Sequence, residues 1–271
     1  MTNDKKMNIL DKILQHKKKE VEERKNLQPV KMLEQSAFFG RKTISLKEFL
    51  QRKDKSGIIT EFKRKSPSKG DININASVEE TTQGYAKAGA SALSVLTDNQ
   101  FFGGSSEDLI AARKYNAIPI LRKDFTIDEY QIIEAKSIGA DAILLIAAAL
   151  EPTRLKQLSN FAKTFGLEVL LEVHDKEELQ ATLHSSADLL GVNNRSLKTF
   201  EVSIEVSKQL APLIPKEAVK VSESGISDPR TIVELKEYGY EGFLMGENFM
   251  KQSNPGEACK TFIESLNQLK K

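Results

Sequence analysis

Lysine and glutamate side chains recur in this sequence at the ends of short apolar runs. Glu61 lies near the end of one run and Lys63 follows it, Lys123 follows a second run, Glu172 lies near the end of a third and Glu223 follows a fourth. Either residue type can act as a general acid or base near neutral pH when burial and neighbouring charges shift its pKa. Any one of them is as often a solvated ion pair, but two lysines and three glutamates in equivalent positions favour an enzyme site.

Eight runs rich in Val, Ile and Leu carry these residues, and longer segments with helical periodicity alternate with them. The runs span residues 58–62, 92–96, 118–121, 142–146, 168–173, 189–192, 218–221 and 242–245. Helical segments include residues 128–137, 152–165, 176–183 and 229–238, and Gly89, Gly139 and Gly239 mark helix ends. This alternation predicts an α/β fold, a (β/α)8 TIM barrel.

The alternation of side chains along a strand indicates where the charged groups point. Glu61 shares a face with Ile59, and Lys123 shares a face with Leu121. The same spacing holds for the other charged residues of the set. Because the carboxyl ends of the strands form the active site in this fold, we expect these charges to converge at one mouth of the barrel.

Two glycine-containing segments follow the last two runs, residues 222–227 (SESGIS) and 245–247 (MGE). Glycine lets the backbone approach a ligand closely, and loops at these positions in many barrels bind phosphate through backbone N–H groups. A glycine after a strand is usually only a turn residue. Finding both segments in the last two units favours a phosphorylated small-molecule substrate.

Residues 1–45 stand outside the repeat, and residues 46–271 form the predicted barrel domain. Ile9, Ile13, Lys17 and Val21 make a partly apolar stripe, which predicts an N-terminal helical extension packed on the barrel. The extension is either a simple cap on one end or a cover of the active site. The spacing alone does not decide which end it closes.

Composition narrows the classes of partner. With 40 basic and 38 acidic residues the net charge is +2, too small to predict nucleic acid or a membrane surface as partner. A single cysteine, Cys259, excludes an internal disulfide and fits a reducing compartment. The N-terminus has no continuous apolar segment typical of a secretory signal. We expect a cytoplasmic protein, a monomer or a weak oligomer.

The three histidines do not predict a metal site. His16, His174 and His184 lack ligand spacing, so we expect them at the surface or just outside the contact residues of the site. No dinucleotide fingerprint and no P-loop is present. We therefore expect no metal and no cofactor, and acid–base work falls to lysine and glutamate.

Residues 59–70 (ITEFKRKSPSKG) resemble the signature at the end of the first barrel strand of the indole-3-glycerol phosphate synthase family. Further segments resemble it in the same order: PILRKDF at 119–125, LEVH at 171–174, GVNNRSL at 191–197, SESGI at 222–226 and LMGE at 244–247. The resemblance spans the chain and includes the N-terminal helix, which in the family folds over the barrel mouth. It therefore favours the cover over the cap.

The resemblance implies a carbon–carbon lyase, a carboxy-lyase of tryptophan biosynthesis that needs no cofactor. It would convert 1-(2-carboxyphenylamino)-1-deoxyribulose 5-phosphate into indole-3-glycerol phosphate by ring closure, decarboxylation and dehydration. Lys123 would be the general acid of ring closure, and Glu172 would act as base or stabilise positive charge on the ring system. Lys63, paired with Glu61, would bind substrate anions and supply the dehydration proton. Which Lys and Glu serve which proton transfer stays open.

The resemblance also implies substrate contacts. Asn193 would orient the substrate hydroxyls, while Arg195 and Glu223 would hold the charge network. The lining of the substrate and phosphate subsites would comprise Ser66, Ser224, Gly225, Leu244, Gly246 and Glu247. Glu247 stands where several members have serine, and because a carboxylate repels phosphate we expect only its backbone N–H to contribute. The aryl slot would comprise Phe102, Phe125 and Leu144, for which core packing is the alternative.

Two other functions compete with this one. Another phosphate-binding barrel, such as phosphoribosyl anthranilate isomerase or a sugar-phosphate aldolase with a Schiff-base lysine, would share the phosphate loops. The paired Lys63 and Lys123, and the lack of a Cys–Asp couple at strand ends, count against these. A catalytically inactive barrel acting as a binding module would carry broken charges at the mouth, and the matched polar positions are intact.

Overall fold

The computed structural model describes residues 8–269. Eight parallel strands close into a barrel in which each strand pairs with its neighbours in sequence and the first pairs with the last. The barrel strands are β1 (Ile58–Phe62), β4 (Ala92–Leu96), β5 (Ile120–Lys123), β6 (Ala142–Ile146), β7 (Glu168–Val173), β8 (Leu189–Asn193), β9 (Val219–Glu223) and β10 (Tyr240–Met245). The predicted TIM barrel is confirmed.

A short antiparallel hairpin, β2 (Lys65–Ser66) and β3 (Gly70–Asp71), lies in the loop after β1. The helices are α1 (Ile9–Leu27), α2 (Val30–Leu33), α3 (Leu46–Gln51), α4 (Val78–Ala88), α5 (Ser106–Tyr115), α6 (Glu129–Ser137), α7 (Pro152–Thr164), α8 (Lys176–Thr182), α9 (Glu205–Leu210), α10 (Pro229–Glu237), α11 (Glu247–Met250) and α12 (Pro255–Leu269). Across residues 8–269, no helix combines the length and apolarity needed to cross a membrane.

Three strands extend beyond the apolar runs that predicted them. β5, β8 and β9 each include a polar residue at the carboxyl end: Lys123, Asn193 and Glu223, respectively. Strand pairing joins backbone groups, so it continues past the last apolar side chain as long as the neighbouring strand offers a partner. The run at 118–121 also begins too early, because Pro119 has no N–H to donate and β5 starts at Ile120.

Helix boundaries agree with their capping chemistry. The Asp128 side chain accepts a hydrogen bond from Tyr130 N–H, and Gln131 completes a capping box at the start of α6. Gly89 and Gly139 have φ angles of 99° and 95°, the left-handed conformation that ends a helix most readily at glycine. These short connections place each crossover helix against the outside of the barrel.

The interior of the barrel is a separate apolar layer from the strand–helix core. It includes Ile59, Leu121 and Leu170. Each of them is two residues before a charged residue on its strand and lies on the same face, as predicted. Leu46 and Leu50 of α3 belong to this layer. Since the Ser45 hydroxyl donates to Glu168 at the start of β7, α3 closes the amino-terminal end of the barrel.

The extension helix α1 lies at the opposite end. Lys17 on α1 contacts Asp98 and Asp124, which follow β4 and β5. Leu10, Ile13, Lys17 and Val21 are buried, whereas Ile9, predicted for the stripe, is only half-buried. The helix therefore covers the carboxyl end, where the predicted site lies.

Candidate active site

The carboxyl ends of the strands surround one cleft. Every predicted site residue lines it: Glu61, Lys63, Ser66, Phe102, Lys123, Phe125, Leu144, Glu172, Asn193, Arg195, Glu223, Ser224, Gly225, Leu244, Gly246 and Glu247. Residues far apart in sequence meet here because each follows or ends a strand of the same parallel barrel. The cleft thus combines buried charges, apolar side chains and glycine-containing loops.

Five charged side chains form what we call the cleft cluster, of which the three glutamates are buried and the two lysines are partly exposed: Glu61, Lys63, Lys123, Glu172 and Glu223. Lys63 Nζ lies 2.8 Å from Glu61 Oε1, and Lys123 Nζ lies 3.1 Å from Glu61 Oε2. Lys123 Nζ is also 3.9 Å from Glu223 Oε2. One glutamate therefore accepts contacts from both lysines, and Lys123 links β1 to β9 across the barrel mouth.

Burial and charge act in opposite directions on this pair. Burial by itself raises the pKa of Glu61, but attraction to Lys123 and Lys63 outweighs it and lowers that pKa to about 2. Burial tends to lower the pKa of Lys123, whereas the carboxylates of Glu61, Glu223 and Glu172 raise it above its ordinary value. Glu61 is therefore ionised and Lys123 is an ammonium at neutral pH.

Glu172 has a different neighbour. His174 Nε2 lies 3.2 Å from Glu172 Oε1, and His174 Nδ1 lies 3.1 Å from Glu178 Oε2. Burial opposes ionisation of Glu172, but His174, then Lys123, lower its pKa to about 2. Burial likewise opposes the charge on His174, yet its contacts with the two carboxylates raise its pKa to about 10. At neutral pH this is a carboxylate–imidazolium pair.

Glu223 is the least satisfied member of the cleft cluster. Within residues 8–269 neither of its carboxyl oxygens has a hydrogen-bond partner. Burial, followed by repulsion from Glu172, raises its pKa well above the ordinary value against the attraction of Lys123. Gly191 makes room for this carboxyl, because a Cβ at that position would collide with Glu223 Oε1. Glu223 therefore favours its neutral form more strongly than Glu61 and Glu172 do.

One end of the cleft carries cations and tight turns. Ser224 and Gly225 have φ angles of 69° and 76°, which turns the backbone sharply after β9. The Glu247 carboxylate lies 3.5 Å from Arg195 and 3.4 Å from Lys69. Those two cations can attract an anion. When no anion is bound, the Glu247 carboxylate pairs with them.

The other end is apolar. The rings of Phe102 and Phe125 lie with centroids 6.0 Å apart and are tilted by 38°. Phe102 N–H and the neighbouring Phe101 N–H both donate to Asp98 Oδ1, which fixes the loop that carries Phe102. Leu144 is buried in the interior layer and also lines the cleft, so core packing and ligand contact coexist at this residue.

The family model described as indole-3-glycerol phosphate synthase matches residues 10–262. An indole-3-glycerol phosphate synthase of Bacteroides thetaiotaomicron is 48% identical over 258 residues, covering 95% of this chain and 98% of that protein. One from Nautilia profundicola is 45% identical and covers 93% and 97%, respectively. The chain belongs to the indole-3-glycerol phosphate synthase family.

Solved structures place this family member among barrels of lower sequence similarity. A thiamine phosphate pyrophosphorylase from Pyrococcus furiosus superposes with a TM-score of 0.60 at 14% identity, covering 83% of this chain and 99% of that one. At such identity the likeness concerns the fold alone. Site chemistry therefore has to be argued from the residues of the cleft.

In this family member the cover of the cleft is held by one buried lysine. Lys17 Nζ lies 2.9 Å from Asp124 Oδ1, 3.0 Å from Asp98 Oδ2 and 2.9 Å from Glu20 Oε2. We call these four residues the anchor cluster. Burial opposes the charge of Lys17, but the three carboxylates raise its pKa. Ile9, Leu10 and Ile13 of the same helix line the cleft.

Sequence reasoning missed several of these residues in the family member's site. Lys17 was predicted only as part of a stripe, and its partners follow strands far along the chain. A lysine four residues beyond Ile13, on the apolar face of the helix, indicates that its charge is buried against the barrel. His174 was expected at the surface or just outside the contact residues, and it lies behind Glu172. Among residues 8–269, no group of His, Cys, Asp and Glu side chains is placed to hold a metal ion.

Proposed function

We propose that this chain converts 1-(2-carboxyphenylamino)-1-deoxyribulose 5-phosphate into indole-3-glycerol phosphate, CO2 and water. One observation carries the assignment of roles: the Lys123 ammonium lines the cleft and lies 3.1 Å from Glu61. The aromatic side chains of the cleft follow β4 and β5, and the loops assigned to phosphate follow β8, β9 and β10 across the closed barrel. A substrate with an aryl ring at one end and a phosphate at the other would span the cleft with its carbonyl near that ammonium.

Ring closure forms a bond between the ring carbon that bears the carboxylate and the carbonyl carbon of the ribulose chain. Lys123 donates its proton to the carbonyl oxygen as that oxygen becomes negative. The Glu172 carboxylate acts as base or stabilises the positive charge that develops on the ring system. The carboxylate then leaves as CO2, and the electrons of its broken C–C bond restore the aromatic ring.

Dehydration follows from the same cluster. Lys63 protonates the departing hydroxyl group, and its Nζ is held in place by the adjacent Glu61 carboxylate 2.8 Å away. Loss of the neighbouring C–H proton to a carboxylate completes the double bond of the indole. Asn193 orients the substrate hydroxyls, and Glu223 completes the charge network around Lys123.

Binding uses the two ends of the cleft. Phe102, Phe125 and Leu144 form the aryl slot, with Leu244 beside them. The phosphate binds near Arg195, with contacts from Ser66, Ser224, the backbone at Gly225 and Gly246, and the backbone N–H of Glu247. The phosphate then displaces the Glu247 carboxylate from Arg195, since two anions cannot share that position.

The extension predicted for residues 1–45 acts in this proposal as the cover of the barrel domain at 46–271. Residues 1–7 and 270–271 lie outside the described part of the chain. The composition supports a cytoplasmic enzyme that acts on a small molecule without nucleic acid or membrane partners, as a monomer or weak oligomer.

An indole assay tests the proposal. The purified chain is incubated with the substrate, without metal or nucleotide, and product absorbance and fluorescence are followed; the chain has no tryptophan to obscure the signal. We expect saturable turnover, a loss of at least ~10² in kcat in Lys123→Ala, and normal activity in the exposed control Lys18→Ala. Tight phosphate-dependent binding without turnover favours a binding module. The absence of both turnover and binding favours another phosphate-binding barrel.

A further inference from the structure

His174 lies immediately behind a residue of the site without lining the cleft. It follows β7, and its side chain is only 8% exposed. Glu178 Oε2 accepts a hydrogen bond from His174 N–H at 2.8 Å and lies 3.1 Å from Nδ1 of the same residue. Glu178 thereby fixes the ring, and the opposite nitrogen, Nε2, faces Glu172 at 3.2 Å. Within residues 8–269 Nε2 makes no hydrogen bond, so Glu178 holds the imidazole in ion-pair contact with one carboxylate of the cleft.

The charges around Glu172 explain what that orientation does. The cleft cluster holds three glutamates but only two lysines, and both lysines lie close to Glu61. Among residues 8–269, His174 is the one cation within ion-pair distance of Glu172. Lys123 from β5 acts on Glu172 from farther away, Asn193 from β8 adds a smaller contribution, and Glu223 from β9 opposes its charge. Without a charged His174, two neighbouring carboxyls would compete for one lysine.

We infer that His174 is a positioning residue that holds Glu172 in its ionised form. The inference deepens the proposed function and rests on it, because it assigns the state in which Glu172 serves the reaction. His174 acts only through Glu172, since it does not reach the cleft. Glu178, 21% exposed at the rim, completes the chain from solvent to the buried carboxylate.

The sign of the pH effect follows from these contacts. Glu172 has a lowered pKa of about 2 and His174 a raised pKa of about 10, so both charges persist across the intervening range. Removing the imidazolium leaves burial and Glu223 to raise the pKa of Glu172. The carboxylate then protonates at higher pH, and the acid limb of the rate profile must move upward.

Two substitutions separate charge from shape. His174→Gln keeps a hydrogen-bond donor without the charge, and we expect the acid limb of the kcat–pH profile to rise by at least ~1 pH unit. Glu178→Gln weakens the hold on the imidazolium, and we expect the alkaline limb to move to lower pH. KM should change by less than about threefold in either variant, because neither side chain lines the cleft. His184→Gln, an exposed histidine, is the matched control.

An NMR titration of the imidazole nitrogens provides a readout that does not need turnover. We expect His174 to be an imidazolium at pH 8 in the wild-type chain and in Lys123→Ala. A neutral His174 at pH 8, or a rate loss in His174→Gln without displacement of the acid limb, overturns the inference. Absence of turnover in a wild-type chain whose His174 is an imidazolium instead counts against the proposed function.

Discussion

Two clusters of buried charge lie side by side at the carboxyl end of the barrel, and they differ in how fully they are satisfied. In the anchor cluster, Lys17 lies within 3.0 Å of three carboxylates, and Asp124 also accepts the Thr97 hydroxyl at 2.6 Å. In the cleft cluster, Glu223 makes no hydrogen bond among residues 8–269, and the Lys123 ammonium lies 3.9 Å away. Asp98 Oδ2 of the anchor cluster also makes no hydrogen bond, but it lies 3.0 Å from the Lys17 ammonium. Satisfied charges stabilise a structure, whereas unsatisfied ones remain available to a ligand.

A single strand end serves both clusters. Lys123 and Asp124 are adjacent, and the alternation of side chains sends the lysine into the cleft and the aspartate toward α1. Two adjacent residues at one strand end thus provide the proposed general acid, Lys123, and a contact that holds α1 over the cleft, Asp124. We expect substitutions in the cleft cluster to change kcat and substitutions in the anchor cluster to change stability and KM.

The sharpest contrast concerns Glu172→Gln. This change keeps shape and removes the charge, so we expect kcat to fall by about 10² to 10⁴, as for loss of a general base. The thermal midpoint should fall less than in Lys17→Met, because His174 loses one carboxylate neighbour but keeps Glu178 at 3.1 Å. Steady-state kinetics and calorimetry on the same preparation measure both. Full activity in this variant would contradict the division between the clusters.

Lys17→Met tests the anchor cluster. It leaves Asp98 buried without the ammonium that it contacts and leaves Asp124 with Arg122 at 3.4 Å. We expect a loss of about 3 kcal/mol in the free energy of unfolding. KM should rise with it, since α1 and the loop of Phe102 lose a common attachment. Urea unfolding and kinetics provide the measurements, and the exposed Lys18→Met is the control. A variant with wild-type stability would show that the cluster does not hold the cover.

Glu223→Gln should show that the cleft cluster is maintained at a cost to stability. The pKa of Glu223 is raised in the folded chain, so above its ordinary pKa the unfolded state ionises while the folded state keeps its proton. The amide removes that penalty, and we expect a gain on the order of 1 kcal/mol at pH 7 that vanishes near pH 4. Thermal unfolding at both pH values measures it. A loss of stability at pH 7 would reverse the comparison.

The smallest expected effect belongs to Glu247→Gln. Its carboxylate contacts Arg195 and Lys69 at partly exposed positions, where ion pairs are weak. Removing the negative charge should lower the inhibition constant of inorganic phosphate by roughly two- to fivefold while kcat stays unchanged. Competition kinetics with phosphate would reveal this. Weaker phosphate inhibition would instead indicate that the side chain supports the anion site.

Sequence patterns predicted the barrel because each strand is a local apolar run and each crossover helix carries its own caps. The parity of Glu61 and Lys123 was equally readable, since it depends only on alternation along a strand. The end of β9 could not be predicted in this way, because Glu223 belongs to the strand through backbone pairing with β8 and β10. Apolarity measures burial of side chains and does not report where backbone pairing stops.

The anchor cluster lay beyond what local patterns can predict. Lys17 appears in the sequence within a run of lysines, and only the barrel brings Asp98 and Asp124 to it. The burial of its charge depends on contacts between segments distant in sequence. The same applies to the link between His174 and Glu178, although their four-residue separation across a strand end offered a partial signal.

The two glycines that adjoin the cleft cluster set a requirement for protein design. A methyl group at Gly246 would come within 2.9 Å of Glu61 Cβ, and one at Gly191 would strike the Glu223 carboxyl. The two carboxylate side chains thus occupy space that is free because Gly191 and Gly246 have no side chain. A designer who grafts the five charged residues onto another eight-stranded barrel must also place glycine at the two neighbouring positions. The unit to be transferred is therefore seven positions.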